Sequence, residues 1–359
     1  MITSRERVLA AFARQESDRV PINYSANPRI DGRLKAHYGL AENDTEGLRR
    51  LLGVDFRGVG AAYTGLQLHS EVPDRRVDPL WGRRTRWVEH ESGGYWDFCD
   101  FPLRDADEAM IAGWPCPDPA HYDYEGFAAE AARLRSEEFA VYIGNPGLGD
   151  IINSNGMVRG MEQVLVDLLT DDPAGLMLID RKVTHELAVT RRCLEIAGDD
   201  IDFVWLGEDL GTQKGALIGL DLFRRHIRPR HQRYVDLAKQ FGKPVMIHSC
   251  GSSSWAYDDF AQMGIDAVDT LQPEAADMAP AYLKQRYGDL LAFHGCISTA
   301  GPVATGSVEE ITQYCRQTLE TMMPGGGYCF APTHQLQDNS PTENVVAMYD
   351  TVRSHGAFA

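Results

Sequence analysis

A histidine and a cysteine, His248 and Cys250, stand two positions apart where the apolar run Pro244-Val245-Met246-Ile247 ends. Residues i and i+2 of an extended segment face the same way, so both side chains can reach one ion there. A thiolate and an imidazole suit zinc. The same pair also fits a buried histidine beside a core cysteine, and two ligands do not make a site. Further donors fall at two later apolar runs: Cys296, Cys329 and His334. His334 lies beyond Pro332, where the chain leaves its run, whereas Cys329 lies within the run and reads as packing. His294 reads as a core or hydrogen-bonding histidine.

Glu208 and Asp209 are adjacent acids directly after Phe203-Val204-Trp205-Leu206-Gly207. Charge placed there is poorly solvated, so one of the two is expected to point inward as a general base, a metal ligand or a substrate anchor. The other reading is a salt bridge or a helix cap. A polar stretch, Asn23-Tyr24-Ser25-Ala26-Asn27-Pro28-Arg29, follows the first apolar run, and Arg29 is a candidate for a substrate carboxylate. Asn145 and Gln213 follow two other runs.

Eight such runs are legible as buried strands: Arg19–Tyr24, Val54–Val59, Ala140–Gly144, Phe203–Gly207, Pro244–His248, Ile265–Asp269, Leu290–His294 and Gly327–Ala331. Helical patterns separate most of them, for example over 173–195, 220–241 and 308–323. Eight strands alternating with helices are the number of a (β/α)8 TIM barrel, whose working residues sit at the C-terminal ends of the strands. An open doubly wound sheet would advertise a phosphate loop after its first strand, and none follows Tyr24. Thr3 and Glu6 form a capping-box signal for an N-terminal helix over 4–14. Trp81 to Phe101, with Ser92-Gly93-Gly94 at its centre, reads as an inserted β-hairpin, the insertion extending over about 81–124. The expectation is one α/β barrel over residues 1–359, its hairpin covering the barrel mouth, docking on a partner or packing on its own barrel.

Lys and Arg number 35 against 52 Asp and Glu, a formal charge of -17, which repels polyanions and makes nucleic acid and anionic membrane surfaces poor partners. Seven cysteines, odd in number and without a repeated spacing, suit a reducing compartment better than a disulfide framework. The opening Met1-Ile2-Thr3-Ser4-Arg5-Glu6-Arg7 does not read as a secretory signal, and the expected location is cytoplasmic.

Four stretches together resemble the uroporphyrinogen decarboxylase superfamily. They are Ser4 to Ala11 followed by Asp18-Arg19-Val20-Pro21; Trp205 through Gln213; Lys243 through Gly251; and Gly325-Gly326-Gly327-Tyr328 through Asn344-Val345. The resemblance implies a single β/α barrel. It also implies one of two chemistries. The porphyrinogen decarboxylases are metal-free and hold a polycarboxylate with paired arginines in an Arg-Gln-Ala-Gly-Arg motif after the first strand. Here that stretch retains Arg29 as its cation. The other branch comprises zinc-dependent methyltransferases that move a methyl group between a corrinoid protein and a thiol or similar small acceptor. Their His-x-Cys is matched by His248 and Cys250. Their third ligand, usually Cys, corresponds to His334, with Cys296 or Cys329 as alternatives.

The resemblance therefore implies zinc, a small-molecule substrate and a corrinoid supplied by a partner protein or as substrate. In this reading Glu208 or Asp209 takes the thiol proton, and Tyr24, Asn27, Arg29, Asn145 and Gln213 orient the substrate. A metal-free decarboxylase acting on an anionic small molecule is the alternative. A homodimer is compatible with either.

Overall fold

The structure, a computed structural model, describes residues 2–90 and 93–358. The strands, in chain order, are β1 (Phe56–Val59), β2 (Arg76–Val77), β3 (Arg84–His90), β4 (Gly93–Cys99), β5 (Ala140–Gly144), β6 (Phe203–Gly207), β7 (Val245–His248), β8 (Ala267–Asp269), β9 (Ala292–Ile297) and β10 (Tyr328–Pro332). Among the described residues, seven of them form one parallel sheet in the order β1-β5-β6-β7-β8-β9-β10. The sheet is curled. Phe56 on β1 and Trp205 on β6 both meet the ring of His294 on β9, at 5.4 and 5.6 Å between centroids, which a flat sheet with this order would keep apart.

The eighth expected strand, Arg19–Tyr24, does not form a ladder. It makes one parallel bridge, Ile22 to Phe330, with Asn23 N donating to Phe330 O at 2.9 Å and Phe330 N to Pro21 O at 2.8 Å. On its other side Asp55 N donates to Ile22 O at 2.8 Å, while Ile22 N is taken by the carboxylate of Asp55 at 2.7 Å. Pro21 has no N–H to give, and a side chain stands where a ladder would place a backbone carbonyl. The segment thus spans the edges of β10 and β1 without strand regularity.

The N-terminal helix is Ser4–Phe12, and its Thr3–Glu6 capping box is present. It does more than open the chain. Val8, Ala11 and Phe12 pack with Phe56, Ala140, Phe203, Met246 and Ala292 and close the N-terminal end of the sheet. A second, larger apolar layer lies between the strands and the surrounding helices, among them Pro173–Ala197 and Val308–Met322. Both faces of every inner strand are covered, which is why these strands read as continuous apolar runs.

The expected hairpin is part of a three-stranded antiparallel sheet, β2-β3-β4. Trp87 and Trp96 pair across it, and the Arg76 guanidinium lies 3.7 Å over the Trp96 ring. Ser92, the first residue of the expected turn, lies outside the described residues. No described helix is long and apolar enough to cross a membrane.

Candidate metal and substrate site

The ends of β6 and β7 bring the first functional groups together. Asp209 Oδ1 accepts the N–H of Cys250 at 2.9 Å, and its Oδ2 accepts from Asn153 Nδ2 at 2.8 Å. The two loops can approach because both carry glycine at the crossing. A Cβ on Gly251, whose φ is +71°, would lie 2.5 Å from the Gly211 backbone, and one on Gly211 would lie 2.3 Å from Ser252 N. The glycines in Glu208-Asp209-Leu210-Gly211 and His248-Ser249-Cys250-Gly251 are thus one feature, a backbone-to-backbone contact that seats Asp209 against Cys250.

His248 is oriented from behind. Tyr24 N donates to Asn23 Oδ1 at 2.8 Å, which turns the Asn23 amide nitrogen toward His294 Nε2 at 3.0 Å. His294 Nε2 therefore accepts, its proton sits on Nδ1, and that proton goes to Asp269 Oδ1 at 2.5 Å. The other carboxylate oxygen takes the Nδ1–H of His248 at 2.6 Å, with the Thr270 hydroxyl 2.8 Å from the same nitrogen. His248 is left presenting Nε2 to Cys250 Sγ at 3.2 Å and to Asp209 Oδ1 at 3.7 Å.

Among the described residues, Asp209, His248 and Cys250 form a set whose donor atoms all lie within 4.8 Å of one another. Tetrahedral zinc with bonds of about 2.0 to 2.3 Å keeps its ligands roughly 3.4 to 3.6 Å apart, close to the separations found here. A histidine whose other nitrogen is held by a carboxylate is the usual support of such a ligand. The electrostatics agree. Burial disfavours a charged imidazole at His248, but Asp269 and Cys250 outweigh it and hold the ring well above its ordinary pKa, so the position favours positive charge. Burial pushes the Cys250 thiol up while His248 pulls it down. The residues fit zinc.

Two cavities meet at Pro146, His248 and His334. One, about 640 Å³, holds Asp209, Cys250 and Asn153 and is also lined by Asp97 and Phe98 of β4 and by Phe101 just after it. The other, about 680 Å³, runs inward over Trp205, His294 and Tyr142 to Tyr24 and Arg49. Both volumes suit a small organic ligand.

The remaining sequence candidates separate cleanly. His334 lines both cavities but lies outside the three-donor set, and burial together with the nearby His248 lowers its pKa. Glu208 is wholly buried and faces away from Cys250. Its oxygens accept the N–H groups of Ile151 and Ile152 at 2.8 and 3.1 Å, at the start of the helix Ile152–Arg159. Of the acid pair, Asp209 is the member beside His248 and Glu208 the helix-end acceptor.

Cys296 and Cys329 are packed in the outer and inner apolar clusters and line neither cavity. Asn145 lies at the inner cavity's rim, its Oδ1 accepting from Gly147 N at 2.7 Å. Tyr24 lines the same cavity and donates its hydroxyl to Asp31 at 2.9 Å. Asn27 reaches Gln337 at 3.3 Å; Arg29 is exposed, its N–H on Asp338; Gln213 sits in an exposed loop. None of these three lines either cavity.

Sequence reasoning missed Asp269 and Arg49. Asp269 carried a signal, an acid ending an apolar run as Glu208 and Asp209 do, whereas Arg49 on the helix Thr45–Leu52 carried none.

The sequence profile of the uroporphyrinogen decarboxylase (URO-D) family matches residues 158–355, more than half of the chain and the part that contributes Asp209, His248, Cys250, Asp269, His294 and His334. The chain belongs to the uroporphyrinogen decarboxylase family. Among solved structures, a methyltransferase from Methanosarcina mazei is similar at a TM-score of 0.66 with 16% sequence identity, over 99% of each chain, and shares the fold of this URO-D family member. A D-psicose 3-epimerase, solved in the presence of D-fructose, gives a TM-score of 0.35 at 12% identity, covering 70% of this chain and 91% of that one. No curated protein matches the chain.

Proposed function

We propose that this URO-D family member is a zinc-dependent methyltransferase that moves a methyl group between a methyl-corrinoid, carried by a partner protein, and the thiol of a small acceptor. The observation that carries the reading is the convergence of Asp209, His248 and Cys250 at the junction of two ligand-sized cavities. Family membership and the whole-chain likeness to a methyltransferase fold support it. In this reading residues 20–24 hold the first of eight positions of a β/α barrel, and the metal lies at the C-terminal rim, where such folds place their chemistry.

His248, Cys250 and Asp209 are the residues that would hold zinc, with His334 facing the same space from the loop after β10. Bound zinc supplies a Lewis acid that lowers the pKa of a thiol at an open coordination position. The chain's own residues do the rest. Asp269 fixes the His248 ring through Nδ1. Asp209, tied to the Cys250 N–H and to Asn153, is the carboxylate placed to take up the thiol proton. Phe98 and Phe101 shield the outer cavity from water. Methyl transfer then depends on alignment more than on acid catalysis.

The test is metal content and turnover measured on one sample. Protein purified without chelator should carry near-stoichiometric zinc and methylate thiols from methylcobalamin, and His248→Ala and Cys250→Ser should lose both. Full activity in metal-free protein would sink the proposal. A metal-free carboxy-lyase is the second reading, favoured by the cation Arg49 in the inner cavity. It requires CO2 release from an acid substrate that survives zinc removal.

A further inference from the structure

A third cavity, about 470 Å³, lies between the ends of β1 and β5, the helix Pro173–Ala197 and the connection from β2 to β3. It adjoins the outer cavity, sharing Gly147, Asp150 and Met157 with it, and is large enough for a small organic molecule. The methyl-transfer chemistry has no use for it, yet a buried amine stands in its wall.

Two of the six lysines are buried, Lys35 at 4% and Lys182 at 6% exposure, and they are held differently. Lys35 Nζ meets three oxygens, the Asp31 carboxylate at 2.7 Å and Glu42 O and Thr45 Oγ1 at 2.9 Å, one for each N–H. Lys182 Nζ meets the Ser154 carbonyl at 2.5 Å, and among the described residues no carboxylate pairs with it. The Trp81 ring flanks it at 5.3 Å. Ser154 and Trp81 both line the cavity, which places the amine at the cavity wall between them. A buried ammonium without a counter-ion is costly. Burial accordingly lowers its pKa to about 8, although Glu186, Asp150 and Asp78 raise it; Arg83 lowers it further. Roughly a tenth of the molecules then carry a free amine at pH 7.

The acids of this wall are committed elsewhere. Glu186 accepts from the Tyr234 hydroxyl at 2.6 Å and Gly149 N at 3.0 Å, and Asp150 accepts from Asn153 N at 2.9 Å. Asp78 accepts from Trp81 N at 2.7 Å and faces Arg83 at 3.6 Å. An anionic ligand would meet these carboxylates, and a cationic one would meet Lys182 and Arg83. A neutral ligand avoids both, and Val59, Leu80, Phe127, Ile143 and Val189 make the rest of the wall apolar. The neutral group that a desolvated lysine amine captures is a carbonyl.

We propose that Lys182 is a carbonyl-capturing residue, which forms a reversible Schiff base with a small apolar aldehyde or ketone held in this third cavity. The amine nitrogen attacks the carbonyl carbon, C=N replaces C=O, and the two amine hydrogens leave with the oxygen as water. No oxidant or reductant is needed.

The experiment treats the intact protein with limiting isobutyraldehyde, fixes imines with borohydride and maps the adducts by peptide mass spectrometry. Lys214, exposed in a loop, is the reference within the same molecule, so the test does not depend on a variant that must fold. At pH 7 a pKa of about 8 gives Lys182 roughly a hundredfold or more free amine than an ordinary lysine, and it should be labelled at least about tenfold faster than Lys214. Its rate should level off above pH 8 while that of Lys214 keeps rising. Glyoxylate, which carries a carboxylate beside its aldehyde, should label Lys214 and spare Lys182.

An adduct at Lys182 that is absent, or no faster than at Lys214, overturns the proposal. So does a Lys182 rate that climbs in parallel with Lys214 above pH 8, because the amine would then be an ordinary ammonium tether to Ser154. Labelling of Lys182 by glyoxylate as fast as by isobutyraldehyde overturns the apolar ligand class.

Discussion

Asp269 Oδ2 lies 2.6 Å from His248 Nδ1, while the other oxygen of the same carboxylate holds His294 at 2.5 Å. One buried acid thus sets the tautomer and angle of the ring that faces Cys250 and anchors that ring to the centre of the sheet. Burial would raise this carboxyl, but His294 and His248 outweigh it and hold it below the ordinary carboxylate range, so it is anionic across neutral pH. Asp269→Asn removes the charge and obliges an amide N–H to face one of two imidazoles. Zinc affinity, measured by competition with a chromophoric chelator, should fall about 10- to 100-fold. Unchanged affinity would show that the ring is positioned by packing and Thr270 instead.

His231 and Glu208 illustrate a contact that distance alone misreads. Their side chains are 3.5 Å apart and wholly buried, yet burial pushes the imidazole down to about 4 and the carboxyl up to about 8, so neither is charged at neutral pH. The pH consequence for His231 has a definite sign. Its folded pKa lies below the unfolded value of about 6.5, so its contribution is complete above that value and is lost as pH falls toward 4, about 3 kcal/mol in all. Glu208 acts oppositely, stabilising the native state at low pH and losing that contribution as pH rises through 8. The comparison with His231→Gln isolates the histidine. The urea-unfolding gap between wild type and His231→Gln should narrow from pH 7 to pH 4; a gap that stays constant would mean that His231 does not titrate in this range.

Gly251→Ala tests the contact between the loops after β6 and β7. The new methyl group would meet the Gly211 backbone at 2.5 Å, at a φ of +71° that alanine adopts only under strain of about 1 to 3 kcal/mol. The loops must separate, drawing the Cys250 N–H away from Asp209 Oδ1. Thermal stability should drop by roughly that amount, and zinc affinity should fall with it. A destabilised protein that still binds zinc as tightly as wild type would refute the idea that this crossing sets the metal geometry.

How much of this was legible in sequence depends on whether the deciding contact is local. The buried parallel strands are covered on both faces, so Phe203–Gly207 and Val245–His248 announce themselves as apolar runs, and His248 and Cys250 follow from where one run stops. Arg19–Tyr24 shares the buried apolar residues Val20 and Ile22 but lacks the ladder, because its pairing is decided by Asp55, more than thirty residues away. Glu208 and Asp209 were legible as a pair and indistinguishable within it. Which one faces His248 depends on Ile151 and Ile152, whose N–H groups capture Glu208 across the sheet. Arg49 was silent for a related reason: only the folding of the helix Thr45–Leu52 against the strand ends brings it to the inner cavity.

Asp55 itself provides a final separation of stability from chemistry. It is wholly buried just before β1, at the end of the sheet opposite Asp209, His248 and Cys250, and accepts from Arg7 at 2.7 Å, Arg19 at 2.8 Å, the Ser4 hydroxyl at 2.7 Å and Ile22 N at 2.7 Å. It ties the N-terminal helix and the segment over 20–24 to the sheet. Asp55→Ala leaves Arg7, itself buried, with only Asp18 to neutralise it, and orphans the Ile22 N–H. Breaking a buried pair in this way costs about 3 to 5 kcal/mol, which should appear as a lower urea midpoint. In β/α barrels this end of the sheet serves stability and the opposite rim serves activity, so zinc affinity per folded molecule should be unchanged. A variant that kept its stability would disprove the role of Asp55 as the fastener of this end of the sheet, and one that lost zinc while still folded would show that the two ends are coupled.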